Sequence, residues 1–160
     1  MEPRELEETA QRYGDSIYRA ALHMTAQPSD AEDVLQEVLL ERYQTKQTFQ
    51  TAEHERRWLL RVAVNKSRNV LRFRRRHQTV PLEEAWAMNA PSEPDYRPLY
   101  DAVRTLPYNH RITLDLYYYE GYSTEEIAEL VGVRPATVRT WLRRARGKLK
   151  VQLKEGWDDE

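Results

Sequence analysis

There is no cysteine anywhere in these 160 residues, so disulfides and thiolate metal sites are excluded. No apolar run approaches the roughly 20 residues that a membrane-crossing helix needs. The opening stretch, MEPRELEETAQRYGD, is polar and acidic and lacks the apolar core of a signal peptide, so the expected location is cytoplasmic. His23, His54, His77 and His110 are scattered without ligand spacing, and Asp30, Glu32 and Asp33 have no partner cluster. Neither a metal site nor a metal-dependent phosphodiester-cleaving enzyme is expected. Strand alternation and internal repeats are missing as well.

What is present is a globular composition, 40% hydrophobic and 32% charged, with a formal net charge of −1. A chain of this length supports one ordinary domain or two small ones. The net charge hides a segregation. Residues 56–77 hold nine Arg or Lys and no acid, and residues 134–150 hold seven more, again with no acid. Nine basic residues remain elsewhere, against all 26 acids. Cationic blocks of this kind focus their field on an anionic partner, and nucleic-acid phosphate is the usual one.

Helical periodicity accounts for most of the remaining pattern. Leu6, Ala10, Tyr13, Ile17, Ala20 and Met24 define a first amphipathic helix. Pro28 and Ser29 break it, and Ser29 or Asp30 is placed to cap a second that buries Ala31, Val34, Leu35, Val38, Leu39 and Tyr43. A third, from about Glu55, aligns Trp58, Leu59, Val62, Ala63 and Val70, after a polar loop QTKQTFQTAEHE. Residues 77–95, with Pro81, Pro91 and Pro94, read as a flexible linker. Helical patterning resumes near Leu99; Pro107 and Gly121 delimit a further segment. The expected fold is all-α, with two small helical domains, 1–76 and 96–160, on a tether.

The second domain carries the most specific spacing. In TEEIAELVGVRPATVRTWLRRA, Ile127, Ala128, Val131, Gly132, Val133 and Val138 fall where a helix-turn-helix needs them. A small residue allows the helices to cross closely, a glycine makes the turn, and the valines close the core. Pro135 suits the first turn of the second helix. With Val138, Leu142, Ala145 and Leu149 buried, Ala136, Thr140, Arg143 and Gly147 point outward, flanked by Arg139 and Arg144. That is the arrangement of a recognition helix, with arginines toward guanine or phosphate. Trp141 borders the core face and is assigned to packing.

These motifs together resemble the sigma-70 family, in particular the short extracytoplasmic-function sigma factors. DAEDVLQEVLLERY resembles the core of its region two, RRWLLRVAVNKSRNVLRFRRR its promoter-melting segment, and LP, EGYSTEEIAELVGV and TVRTWLRRARGKL its region four, in order and spacing. The resemblance spans about Tyr13 to Leu149 and implies a transcription initiation factor whose catalysis belongs to RNA polymerase, with no cofactor of its own. It implies docking of the second helix on the beta-prime clamp helices through Asp33, Gln36 and Glu37, which share one face at i, i+3, i+4, and a beta-flap contact by region four. It implies minus-ten recognition and melting by Asn65, Arg68, Asn69, Arg72, Arg75 and Arg76, with Phe49 to His54 forming the pocket for a flipped base. Minus-thirty-five recognition falls to Ala136, Thr137, Arg139, Thr140, Arg143 and Arg144. An anti-sigma factor is a candidate partner.

Three departures stand out. Trp141 replaces a common basic residue, Ala136 a frequent glycine, and Arg134 a usual Ser or Asp cap. The nineteen residues 77–95 could extend to roughly 65 Å. Two turns of DNA span about 70 Å, so with domain width added each domain can reach its own element. The competing reading is a stand-alone helix-turn-helix regulator, which leaves the docking motif and the first basic helix without a task.

Overall fold

The structure, a computed structural model, describes residues 1–76 and 97–158, with side chains for 1–74 and 101–153. The stretch read as a linker, and the side chains of Arg75 and Arg76, lie outside the described residues. The described residues are helical with no strand. They form two compact units, divided within the stretch read as a linker.

The first unit is a three-helix assembly: α1 Pro3–Thr25, α2 Pro28–Gln44 and α3 Ala52–Arg76. Pro3 starts α1, where its missing N–H costs nothing, and Glu2 and Glu5 form a reciprocal capping box. The helix stops where Ala26 takes a left-handed backbone, φ 57°, with its N–H bonded to the Leu22 carbonyl. Pro28 is again the first helical residue, so α2 starts two or three residues earlier than a Ser29 or Asp30 cap requires; extended Gln27 takes the cap position. Asp30 instead meets Arg74, which also donates to the Thr25 carbonyl and so pins the end of α3 to the α1–α2 turn.

Tyr13, Ile17 and Ala21 of α1, Ala31, Val34 and Val38 of α2, and Leu59 and Ala63 of α3 make one core, with Leu35, Leu39, Trp58, Val62 and Val70 on its rim. Tyr43, expected inside, is 41% exposed; at 100° per residue it is rotated about 140° from Val38. Helix α3 begins three residues before the expected Glu55. Thr51 caps it, its hydroxyl accepting from the His54 N–H at 3.0 Å. Leu60, Val64 and Ser67 are also fully buried, which widens its inward face beyond the predicted stripe.

The second unit comprises α4 Arg97–Arg104, α5 Tyr108–Leu114, α6 Thr124–Val131 and α7 Pro135–Asp158. Helix α5 runs into a π-helical turn, Asp115–Tyr119, that the sequence pattern does not announce. Gly121, φ 80°, then reverses the chain, and the Tyr122 N–H returns to the Leu116 carbonyl at 2.9 Å. Ser123 and Glu126 cap α6 reciprocally. Gly132, φ 75°, ends it, and the N–H groups of Gly132 and Val133 both reach the Ala128 carbonyl. Ile127, Val131, Val138, Leu142 and Ala145 are buried as the helix-turn-helix spacing requires. Val133, expected in that core, is only half-buried, because the glycine turn carries it to the edge of the hairpin.

Candidate nucleic-acid interface

On α2 the side opposite Ala31, Val34 and Val38 faces solvent. Asp33, Gln36 and Glu37 are all exposed on it, followed by Leu40 at 54%. This acidic face is not isolated from α3. The Lys66 ammonium reaches across, 3.4 Å from Glu41 and 3.9 Å from Glu37. Lys66 was not among the predicted site residues. Its signal, a lone cation between Asn65 and Arg68 opposite an acidic helix, is readable only once the two helices are known to pair.

Turning α3 so that Leu59, Leu60, Ala63, Val64 and Ser67 face inward leaves Asn65, Asn69 and Arg72 exposed on its outer side and Arg68 half-buried beside them. Arg72 donates to the Asn69 side-chain oxygen at 3.2 Å, so amide and guanidinium already act as a unit. Phe73, 62% exposed, adjoins this surface. The basic residues of the block are thus divided. Arg74 is structural, whereas Arg68 and Arg72 border the amide face.

The α2–α3 loop is held from beneath. Arg42 of α2 pairs with Glu55 of α3 at 2.8 Å, both side chains only 14% exposed, and its guanidinium lies 4.7 Å from the Phe49 ring centroid. Phe49 in turn packs against Trp58 at 5.4 Å, the rings tilted by 57°, and meets His54 edge-on at 5.2 Å. The structure therefore places the Phe49 ring inward and His54 at the exposed rim. Trp58, assigned to the core, is half-buried under Phe49 and also touches the core rim.

In the second unit the recognition-helix candidate α7 presents Ala136, Arg139, Arg143 and Arg144 to solvent, with Thr137 and Thr140 half-buried. The Thr140 hydroxyl bonds back to the Ala136 carbonyl at 3.0 Å. Arg139 lies 3.8 Å from Glu125 of α6, both side chains more than half exposed, a pair that solvent leaves weak. Arg146 is engaged differently. It donates to the Tyr118 hydroxyl at 2.6 Å and lies over the Tyr117 and Tyr118 rings, so the π turn is clamped to α7. That hydrogen bond to Tyr118 raises its already high pKa. His110 of α5 is buried beneath α7, where burial, then Lys148 and Arg144, lower its pKa. Trp141 is half-buried, as a packing residue at the border of the core face should be.

Among the described residues there is no His/Asp/Glu group able to hold a metal ion, and no helix long and apolar enough to cross a membrane.

Residues 9–77 match the family described as Sigma-70 region 2, and residues 96–149 match Sigma-70, region 4. The ECF RNA polymerase sigma factor SigL of Mycobacterium tuberculosis is 33% identical over 147 residues, covering 87% of this chain and 83% of that protein. SigE of Mycolicibacterium smegmatis is 29% identical over 157 residues, covering 92% of this chain and 61% of that protein, so the chain spans about three-fifths of the length of that relative. Among solved structures, the sigma factor RpoE of Bartonella quintana, determined in complex with the anti-sigma factor NepR, superposes with a TM-score of 0.74 at 20% identity. The match covers 94% of this chain and 98% of that one. This likeness shows the fold.

Proposed function

The chain belongs to the sigma-70 family, in its extracytoplasmic-function group, and on that premise we propose that it binds core RNA polymerase and directs promoter-specific initiation. The observation that carries this reading is the division of labour in the first unit. One core holds an exposed acidic face on α2 and an exposed, acid-free face of amides and cations on α3. The two faces suit two different partners at once, a cationic protein surface and a nucleic acid.

Asp33, Gln36 and Glu37 dock α2 on the beta-prime clamp helices. Asn65, Arg68, Asn69 and Arg72, with Arg75 and Arg76 beyond them, receive the minus-ten strand, and the Phe49–His54 loop borders it. Residues 96–160 read the minus-thirty-five element through α7 and meet the beta flap. Residues 77–95 join the two regions. Bond formation belongs to the polymerase; the chain itself is not an enzyme and acts in the cytoplasm. An anti-sigma factor is a reasonable partner, since the structurally similar RpoE was determined with one.

The deciding experiment mixes the purified chain with core polymerase and a randomised promoter library, each template carrying a transcribed barcode, and sequences the barcodes of the run-off transcripts. Barcodes from templates enriched for two separated upstream elements support the reading. Tight binding to duplex DNA with no core association would favour a stand-alone regulator instead.

A further inference from the structure

Several polar groups of α7 are already engaged inside the unit. The Thr140 hydroxyl bonds to the Ala136 carbonyl at 3.0 Å, Arg139 lies beside Glu125, and Arg146 is clamped on Tyr118. Trp141 differs. It is half-buried, so part of its ring packs at the border of the core face. Its indole N–H, however, is not a buried atom and meets no acceptor among the described residues. A tryptophan N–H taken out of water is normally paired; this one stays at the surface as an uncharged donor.

The place of that donor selects its partner. At 100° per residue, Thr137, Trp141, Arg144 and Lys148 share an arc of about 60° on α7. Arg144 and Lys148 are exposed, and both act on the buried His110, so this arc lies on the α5 side of the helix. Arg143 points roughly 160° away from Trp141, so the indole does not share the direction of that arginine. It flanks the outward face, about 4.5 Å along the axis from Arg144, and no acid lies in the arc. A cationic flank of a helix laid in a groove meets the phosphate backbone at the groove's edge, and neutral donors serve phosphate oxygens there as well as cations do.

We propose that Trp141 is an uncharged backbone anchor: its indole N–H donates to a phosphate oxygen beside the Arg144 guanidinium, while the rest of the ring stays packed on the unit. The proposal rests on reading the second unit as the minus-thirty-five module. The donor carries no charge, so the contact adds affinity without adding to the salt slope. It also carries no base information.

The test uses the full chain as holoenzyme on a promoter recovered from the library. Phosphates through the minus-thirty-five element are replaced one at a time by neutral methylphosphonates. Each penalty is a ratio of affinities within one preparation, so a reduced folded fraction cancels. Trp141→Phe keeps an apolar ring and deletes the donor. It is expected to bind roughly tenfold more weakly, the lower end of what a hydrogen bond to a charged group is worth. The loss should be alike on all base variants, with the salt slope unchanged. At one linkage the methylphosphonate penalty should shrink in Trp141→Phe by about the same factor, with penalties elsewhere as in wild type. Identical penalties at every linkage would overturn the proposal and leave Trp141 a packing residue. A changed base preference in Trp141→Phe would overturn it too, because the ring would then be touching a base edge. A wild-type holoenzyme that binds no promoter better than random duplex would overturn the functional reading itself, and that failure is distinguishable from the other two.

Discussion

The Lys66 ammonium lies 3.9 Å from the Glu37 carboxylate, joining the face of α3 that carries the asparagines to the face of α2 assigned to docking. Glu37 remains 62% exposed and Lys66 27%, so this contact adds little to stability. Its consequence is electrostatic. Lys66 offsets part of the negative field that α2 offers a cationic partner.

Lys66→Gln should therefore bind core polymerase a few-fold more tightly at low salt, with the gain fading above the ionic strength that screens such charges. Gln36→Ala combined with Glu37→Arg should weaken binding at every salt concentration while circular dichroism stays native. Competition binding with purified core measures both. Equal affinity of Lys66→Gln and wild type at low salt would show that Lys66 does not shape the docking field.

The asparagines make a kinetic prediction. Asn65 and Asn69 are exposed, and on the proposed reading, in which they receive the separated minus-ten strand, their amides meet its bases only after melting. Asn65→Ala and Asn69→Ala should reduce open-complex formation more than closed-complex binding, as permanganate footprinting and filter binding on one promoter would report. An equal loss in both steps would assign them to DNA docking in general.

Much of this organisation is legible in the sequence, and what is not has physical causes. The three core stripes of the first unit and the helix-turn-helix register follow from periodicity, because buried positions repeat with the helix. Tyr43 was expected inside since it is large and apolar, but its angular position on α2 turns it out. Asp30, which looks like a solvated acid or a cap, is held by Arg74, 44 residues away. Arg42 and Lys66 look like surface charges until α2 and α3 are paired. Long-range pairs of this sort leave no spacing signal, and neither does the π turn at Asp115–Tyr119.

His110 gives the second unit a pH dependence. Burial, then Lys148 and Arg144, hold its pKa below the ordinary value of 6.5, so the folded state binds the proton less readily than the unfolded chain. Stability from the neutral ring is fully present above about pH 6.5 and is lost as pH falls through the folded-state pKa. Hydrogen exchange over residues 106–145, corrected for intrinsic rates, should show the opening free energy falling between neutral and mildly acidic pH. The same profile for His110→Phe should be flatter. Parallel profiles would assign the titration to another group.

On α7 the arginines differ in what they already touch, and this separates their expected roles. Arg146 is held by Tyr117 and Tyr118, Arg139 lies beside Glu125, and Arg143 is exposed opposite the buried Val138–Leu142–Ala145 stripe. We therefore propose Arg143 as the base reader, with Arg139 and Arg144 on phosphates. Losing a phosphate contact weakens binding alike on all sequences and lowers the salt slope by about one unit. For Arg139→Ala the change should be smaller, because its charge is already partly offset by Glu125. Arg143→Ala should cost roughly 1–3 kcal/mol on the preferred minus-thirty-five sequence and relax the choice of base at one position. Holoenzyme binding to single-base promoter variants over a salt series measures all three. If Arg143→Ala changes the salt slope but not the base preference, it is a phosphate ligand, and sequence reading on this helix passes to Ala136, Thr137 and Thr140.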